Sequence, residues 1–108
     1  NKNNIMEKLI NGISIKVNEE GYLTDFAQWD KSIAETIAQQ ENVGELTPKH
    51  WEVLNFIQDQ YKKNVPLTIR KIGASGVTDI KEFYTLFPNG PLKKAAKIAG
   101  IPKPVGCI

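Results

Sequence analysis

Reactive side chains are few in this sequence of 108 residues: there is one cysteine, Cys107, and one histidine, His50. A single thiol closes no disulfide within the chain, and a lone histidine with no cysteine at ligand spacing offers no metal site. Cys107 is the penultimate residue of the run Ile101-Pro102-Lys103-Pro104-Val105-Gly106-Cys107-Ile108. The two prolines cannot continue a helix or donate in a sheet and favour an extended polyproline II path, while Gly106 leaves a swivel beside the thiol. At ~3 Å per extended residue, the stretch from Gly100 to Cys107 reaches about 20 Å. The expectation is a flexible arm, residues 101–108, on a globular domain of residues 1–100.

Such an arm suits sulfur transfer. A thiolate attacks a sulfur–sulfur bond in line and needs unhindered access, which a projecting tail supplies inside another protein's active site. The chemistry expected of Cys107 is therefore to accept and donate a persulfide sulfur. An ordinary thiol, with a pKa of about 8.5, is mostly protonated at neutral pH. Lys103 favours the thiolate slightly and the terminal carboxylate opposes it, so activation is expected from a partner. On composition alone, an incidental near-terminal cysteine fits as well. Prenylation is set aside, because that motif places its cysteine fourth from the end.

Other chemistry is poorly provided for. No nucleophile, base and orienting acid fall into a recognisable arrangement, and no glycine-rich phosphate loop or metal cluster is present, so the chain reads as a carrier, at most a sulfurtransferase, without a cofactor. From Pro88 to Ile108 there are four lysines, Lys93, Lys94, Lys97 and Lys103, and no Asp or Glu. A lysine face is ordinarily solvated, but this one also suits docking onto an acidic partner or a tRNA-bound complex. Arg70, beside Ile69, is a candidate to contact the arm or orient its carboxylate. His50, Trp29 and Trp51 read as structural.

The elements that must carry the arm follow from periodicity. Asn11-Gly12 between residues 5–10 and 13–17 marks a type I′ hairpin, and a turn at Asn18 to Gly21 leads to a short Tyr22-Leu23 strand, completing a small meander. Met6 is a candidate start, which would place Asn1 to Ile5 upstream. Asp30 caps a helix with the stripe Ile33, Ala34, Ile37, Ala38, ending near Gly44. Thr47-Pro48 opens the expected core helix, with Trp51, Leu54, Ile57 and Tyr61 inward and Val53 and Phe56 beside them. A short helix spans Ile69 to Ala74. A further one starts at Thr78 with Ile80, Phe83, Tyr84 and Phe87 on one face, and Asn89-Gly90-Pro91 begins the last, with Leu92, Ala95, Ala96 and Ala99 inward and Lys93, Lys94 and Lys97 outward. The fold class is α+β: a small N-terminal meander, an array of about five helices and a C-terminal arm. The 41% hydrophobic and 24% charged fractions and the absence of a long apolar run fit a single soluble domain. The lone thiol and the lack of a secretory leader fit a cytoplasmic setting.

The run LFPNGPLKKAAKIAGIPKPVGCI from Leu86 to Ile108 resembles the C-terminal signature of the DsrC/TusE family. TPKHWEVLNFIQDQY from Thr47, Ile69-Arg70, and GYL from Gly21 with the later Trp29 extend the resemblance over nearly the whole chain. It implies a three-stranded meander packed on helices, with a flexible arm ending in a penultimate cysteine. Members with two arm cysteines serve dissimilatory sulfite reduction or sulfur oxidation, whereas TusE-like members keep the penultimate one alone. Here the upstream position is Ala96. The resemblance implies a TusBCD/DsrEFH-like sulfur donor and, as acceptor, an enzyme thiolating the wobble uridine of tRNA or a sulfite reductase. Arm and docking positions carried over are Gly100, Pro102, Lys103, Pro104 and Gly106 with the lysines above. The segment from Ile69 to Pro88 is shorter than in TusE-like sequences and nearer the two-cysteine type, so both pathways stay open. A rival of another class is a helix-turn-helix DNA-binding module over Ile69 to Phe87. Its outward Asp79, Lys81, Glu82 and Thr85 are nearly balanced in charge, which makes direct nucleic-acid binding a poor expectation.

Overall fold

The computed structural model describes residues 6–105. The expectations placed on Asn1 to Ile5, and those on Gly106, Cys107 and Ile108, lie outside the described residues.

Strands β1 (Met6–Ile10) and β2 (Ile13–Val17) form an antiparallel hairpin in which Ile10 faces Ile13 across the turn. Asn11 and Gly12 both have positive φ, 55° and 76°, as a type I′ turn demands. The third strand of the expected meander is reduced to one bridge, Val17 to Leu23. The outer edge of β2 is nonetheless occupied. Gln28 accepts from the Lys16 N–H at 2.8 Å and donates to the Ser14 carbonyl at 3.1 Å, and the Thr24 N–H donates to the Lys16 carbonyl. A side-chain amide thus stands where a longer strand would pair.

A single 3-10 turn, Phe26–Gln28, precedes five helices: α1 (Lys31–Gln40), α2 (Pro48–Lys62), α3 (Ile69–Ala74), α4 (Ile80–Leu86) and α5 (Pro91–Ile98). Each of the first four opens on a side-chain cap, from Asp30, Thr47, Thr68 and Asp79 respectively. The expected start at Thr78 is therefore one residue early; its hydroxyl instead donates to Glu82 at 2.6 Å. At α2, His50 completes a capping box: the Thr47 N–H donates to its Nδ1, which leaves Nε2–H to donate to the Leu86 carbonyl at 2.8 Å. The histidine ties the start of α2 to the end of α4, the structural role expected of it.

The core is built from Ile33, Val53, Leu54, Ile57, Ile72, Phe83, Phe87 and Ile98, all fully buried. Helix α5 packs on α1, α2 and α4, so it shares the central place expected for α2 alone. Two predicted stripes need correction. Along α2 the buried arc is His50, Val53, Leu54, Ile57 and Gln58, with Trp51 and Phe56 at its margins and Tyr61 exposed. Along α4, Phe83 and Phe87 are buried but Ile80 and Tyr84 are about half exposed. No helix among the described residues is long and apolar enough to cross a membrane.

Candidate functional site

The site assembles around α5, the helix that launches the arm. It begins at Gly90, whose φ of 102° suits glycine, and Pro91 sits at its first position, where a missing N–H costs nothing. Leu92, Ala95, Ala96 and Ala99 face inward as expected, and Ala96 is fully buried.

The three lysines do not form the outward face predicted; all are half-buried. Lys94 Nζ donates to the carbonyl of Glu41, the residue that ends α1, at 2.7 Å. Lys97 Nζ lies 3.3 Å from the Glu41 carboxylate and 5.2 Å over the Tyr22 ring. Two lysines therefore bind α5 to the C-terminal end of α1, where the helix dipole favours cations. Lys93 alone keeps its ammonium without a hydrogen bond or ion pair among the described residues. The three line a hollow with Glu20, Tyr22 and Asn89. Arg70 is exposed on α3, also without an ion pair or hydrogen bond among the described residues.

The C-terminal end of α5 is closed bond by bond. The carbonyls of Ala95, Ala96 and Lys97 accept from the N–H groups of Ala99, Ile101 and Gly100. The next two accept from side chains of distant elements: Ile98 from the Trp29 indole and Ala99 from Gln58 Nε2, both at 2.8 Å. Gly100 holds φ at 77°, and a Cβ there would lie 2.4 Å from Trp29 Cδ1. Ile101, expected to be the first residue of the arm, is 1% exposed and belongs to the core. Beyond it, Pro102 to Val105 make no backbone–backbone hydrogen bond among the described residues, and Val105 is fully exposed. Lys103 pairs with Glu20 at 3.1 Å on the surface.

Residues 102–105 line one hollow, and Pro102 borders a second as well. One, of about 530 Å³, is lined on the body side by Tyr61, Val65, Pro66 and Leu67; the other, of about 290 Å³, includes Leu23, Phe26 and Gly100. Tyr61 and Pro102 border both. Sequence reasoning missed Gln58 and Tyr61. The signal for Gln58 was the i, i+4, i+8 row His50, Leu54, Gln58, a polar residue in phase with the buried face.

Comparison with known proteins agrees with this architecture. The family model described as DsrC like protein matches residues 9–108. The chain is 40% identical to the sulfurtransferase TusE of Escherichia coli K12, covering 93% of this chain and 98% of that one. It is 39% identical to the gamma subunit of the dissimilatory-type sulfite reductase of Nitratidesulfovibrio vulgaris, covering 90% and 93%. The solution structure of Allochromatium vinosum DsrC superposes with a TM-score of 0.79 at 33% identity over 96% of this chain and 99% of that one. With the family model matching residues 9–108 and the TusE and sulfite-reductase gamma relatives 40% and 39% identical over most of their length, this chain belongs to the DsrC-like family.

Proposed function

We propose that this protein is a sulfur-relay carrier in which Cys107 takes up and hands on a sulfane sulfur. In the first step the Cys107 thiolate attacks the terminal sulfur of a donor persulfide. The donor's S–S bond breaks, a new S–S bond forms on Cys107, and the donor leaves as a thiolate. The exchange is redox-neutral and needs neither a metal nor an external electron carrier. An acceptor nucleophile then repeats it on the Cys107 persulfide and regenerates the thiol.

The observation that carries this reading is the combination of a penultimate cysteine with a body whose last helix is fully closed before Pro102. A single thiol with Ala96 upstream cannot close the intramolecular disulfide of a two-cysteine cycle, which favours a TusE-like step. In that reading the donor is a TusBCD-like complex, the acceptor is the enzyme that thiolates the tRNA wobble uridine, and the setting is the cytoplasm. Arg70, Lys93, Lys103, Pro104 and Gly106 serve docking and reach. The DsrC-type alternative, a partner of sulfite reductase or of sulfur oxidation, draws on the similarity to the Nitratidesulfovibrio gamma subunit and on the short Ile69 to Pro88 segment.

Incubation with a persulfide donor should add one sulfur, about 32 Da, to the intact chain and nothing to Cys107→Ala. Absence of any adduct with glutathione persulfide or a TusBCD-like donor would sink the proposal. The DNA-binding outline fares poorly, since α3 and α4 are short and the Glu82 carboxylate is held by Thr78. A low-salt gel shift should show no tight duplex binding.

A further inference from the structure

The carbonyls of Ile98 and Ala99 belong to the two peptide units directly ahead of Gly100, Ile101 and the start of the tail. At an exposed helix end such groups are ordinarily left to water. Here each is held by a donor from elsewhere in the sequence: Trp29, following the 3-10 turn, and Gln58, within α2. Gln58 is only 7% exposed, and an amide buried there is tolerated only because it bonds the Ala99 carbonyl. Trp29 acts twice, donating its N–H to Ile98 while its ring covers the Gly100 Cα where a side chain would otherwise stand. Ile101 then plugs the core, and Pro102, with no N–H, begins the stretch that makes no backbone–backbone bond among the described residues.

Two independent donors on successive carbonyls fix the orientation of two adjoining peptide planes, as one donor cannot. We infer that Trp29 and Gln58 are positioning residues for the relay: they set the direction in which the chain leaves the body at Pro102, and so the region from which Cys107 is presented to a partner. The inference rests on the sulfur-relay reading for its purpose, but its geometry can be tested apart from it. Trp29 and Gln58 are assigned no part in the sulfur chemistry itself. Their effect is on where the thiol is offered, not on how reactive it is.

The test uses the full chain carrying Gln58→Met, which keeps length and loses the donor, and Trp29→Phe, which keeps an aromatic ring and loses the N–H. Spin labels at Cys107 and at Glu35→Cys, an exposed position on α1, report the spread of distances by double electron–electron resonance. The result expected is a broadened or displaced distribution in each variant, with a circular dichroism spectrum like the parent's. Alkylation of Cys107 by iodoacetamide, in chains retaining Glu35, should proceed at the parental rate. Distributions that match the parent in both variants would overturn the inference, as would a parallel fall in alkylation, which would assign these residues to the thiol itself. If Trp29→Phe fails to fold, Gln58→Met decides alone. Loading by glutathione persulfide is read in the same samples. Its failure in the parent would remove the relay reading while leaving the distance result to stand or fall independently.

Discussion

At Gly100 two demands meet in one residue. Its φ of 77° costs an L-residue roughly 1–2 kcal/mol, and an added methyl would press on the Trp29 ring. With overpacking adding about 1–3 kcal/mol, Gly100→Ala should destabilise the protein by about 2–5 kcal/mol in urea unfolding. A midpoint equal to that of the parent would show that Trp29 yields freely. Asp30 offers a test of a different kind. Its carboxyl is held below the usual 3.8, chiefly by accepting from the Ile33 N–H and secondly from the Ser32 hydroxyl. The folded state thus binds the Asp30 proton more weakly than the unfolded chain. The stability it contributes is complete above the unfolded value and is lost as pH falls through the lower folded one. Asp30→Asn keeps a capping oxygen without the charge. The difference in urea midpoint between the two proteins should be constant above about pH 5 and shrink on further acidification. A gap that stays constant down to acid unfolding would remove the carboxylate from the account.

Among the elements, those announced by local chemistry were the legible ones. Asn11-Gly12 located the hairpin, and Asp30, Thr47-Pro48 and Gly90-Pro91 located helix starts, because turns and caps are decided by residues a few positions apart. What the sequence hid was pairing across distance. Lys94 and Lys97 read as solvated because nothing local reveals that the end of α1 lies beside them. Gln58 drew no reading of its own, because nothing local places the Ala99 carbonyl opposite it. The Tyr22-Leu23 strand was overestimated because, past the Val17–Leu23 bridge and the Thr24 N–H, it is the Gln28 side chain that fills the β2 edge. Gln28→Ala should therefore speed amide exchange at Lys16 selectively and cost about 1–2 kcal/mol, as two hydrogen bonds to a half-solvated edge would. Unchanged exchange at Lys16 would mean that water substitutes for the amide.

At the scale of the molecule, the described residues form five helices and a hairpin around one core, and the bonds that close the end of α5 lie ahead of Pro102. Beyond that point Lys103 pairs with Glu20, an exposed ion pair worth about 0–1 kcal/mol. A chain ending after Pro102 should melt within a few degrees of the intact one while losing all sulfur uptake. A large drop in the thermal midpoint would show that the tail is part of the core. The sealed end of α5 thus separates what has to fold from what has to reach. Evolution or an engineer can lengthen, shorten or exchange the reaching part for a different errand, and the body, having no stake in it, need not be redesigned.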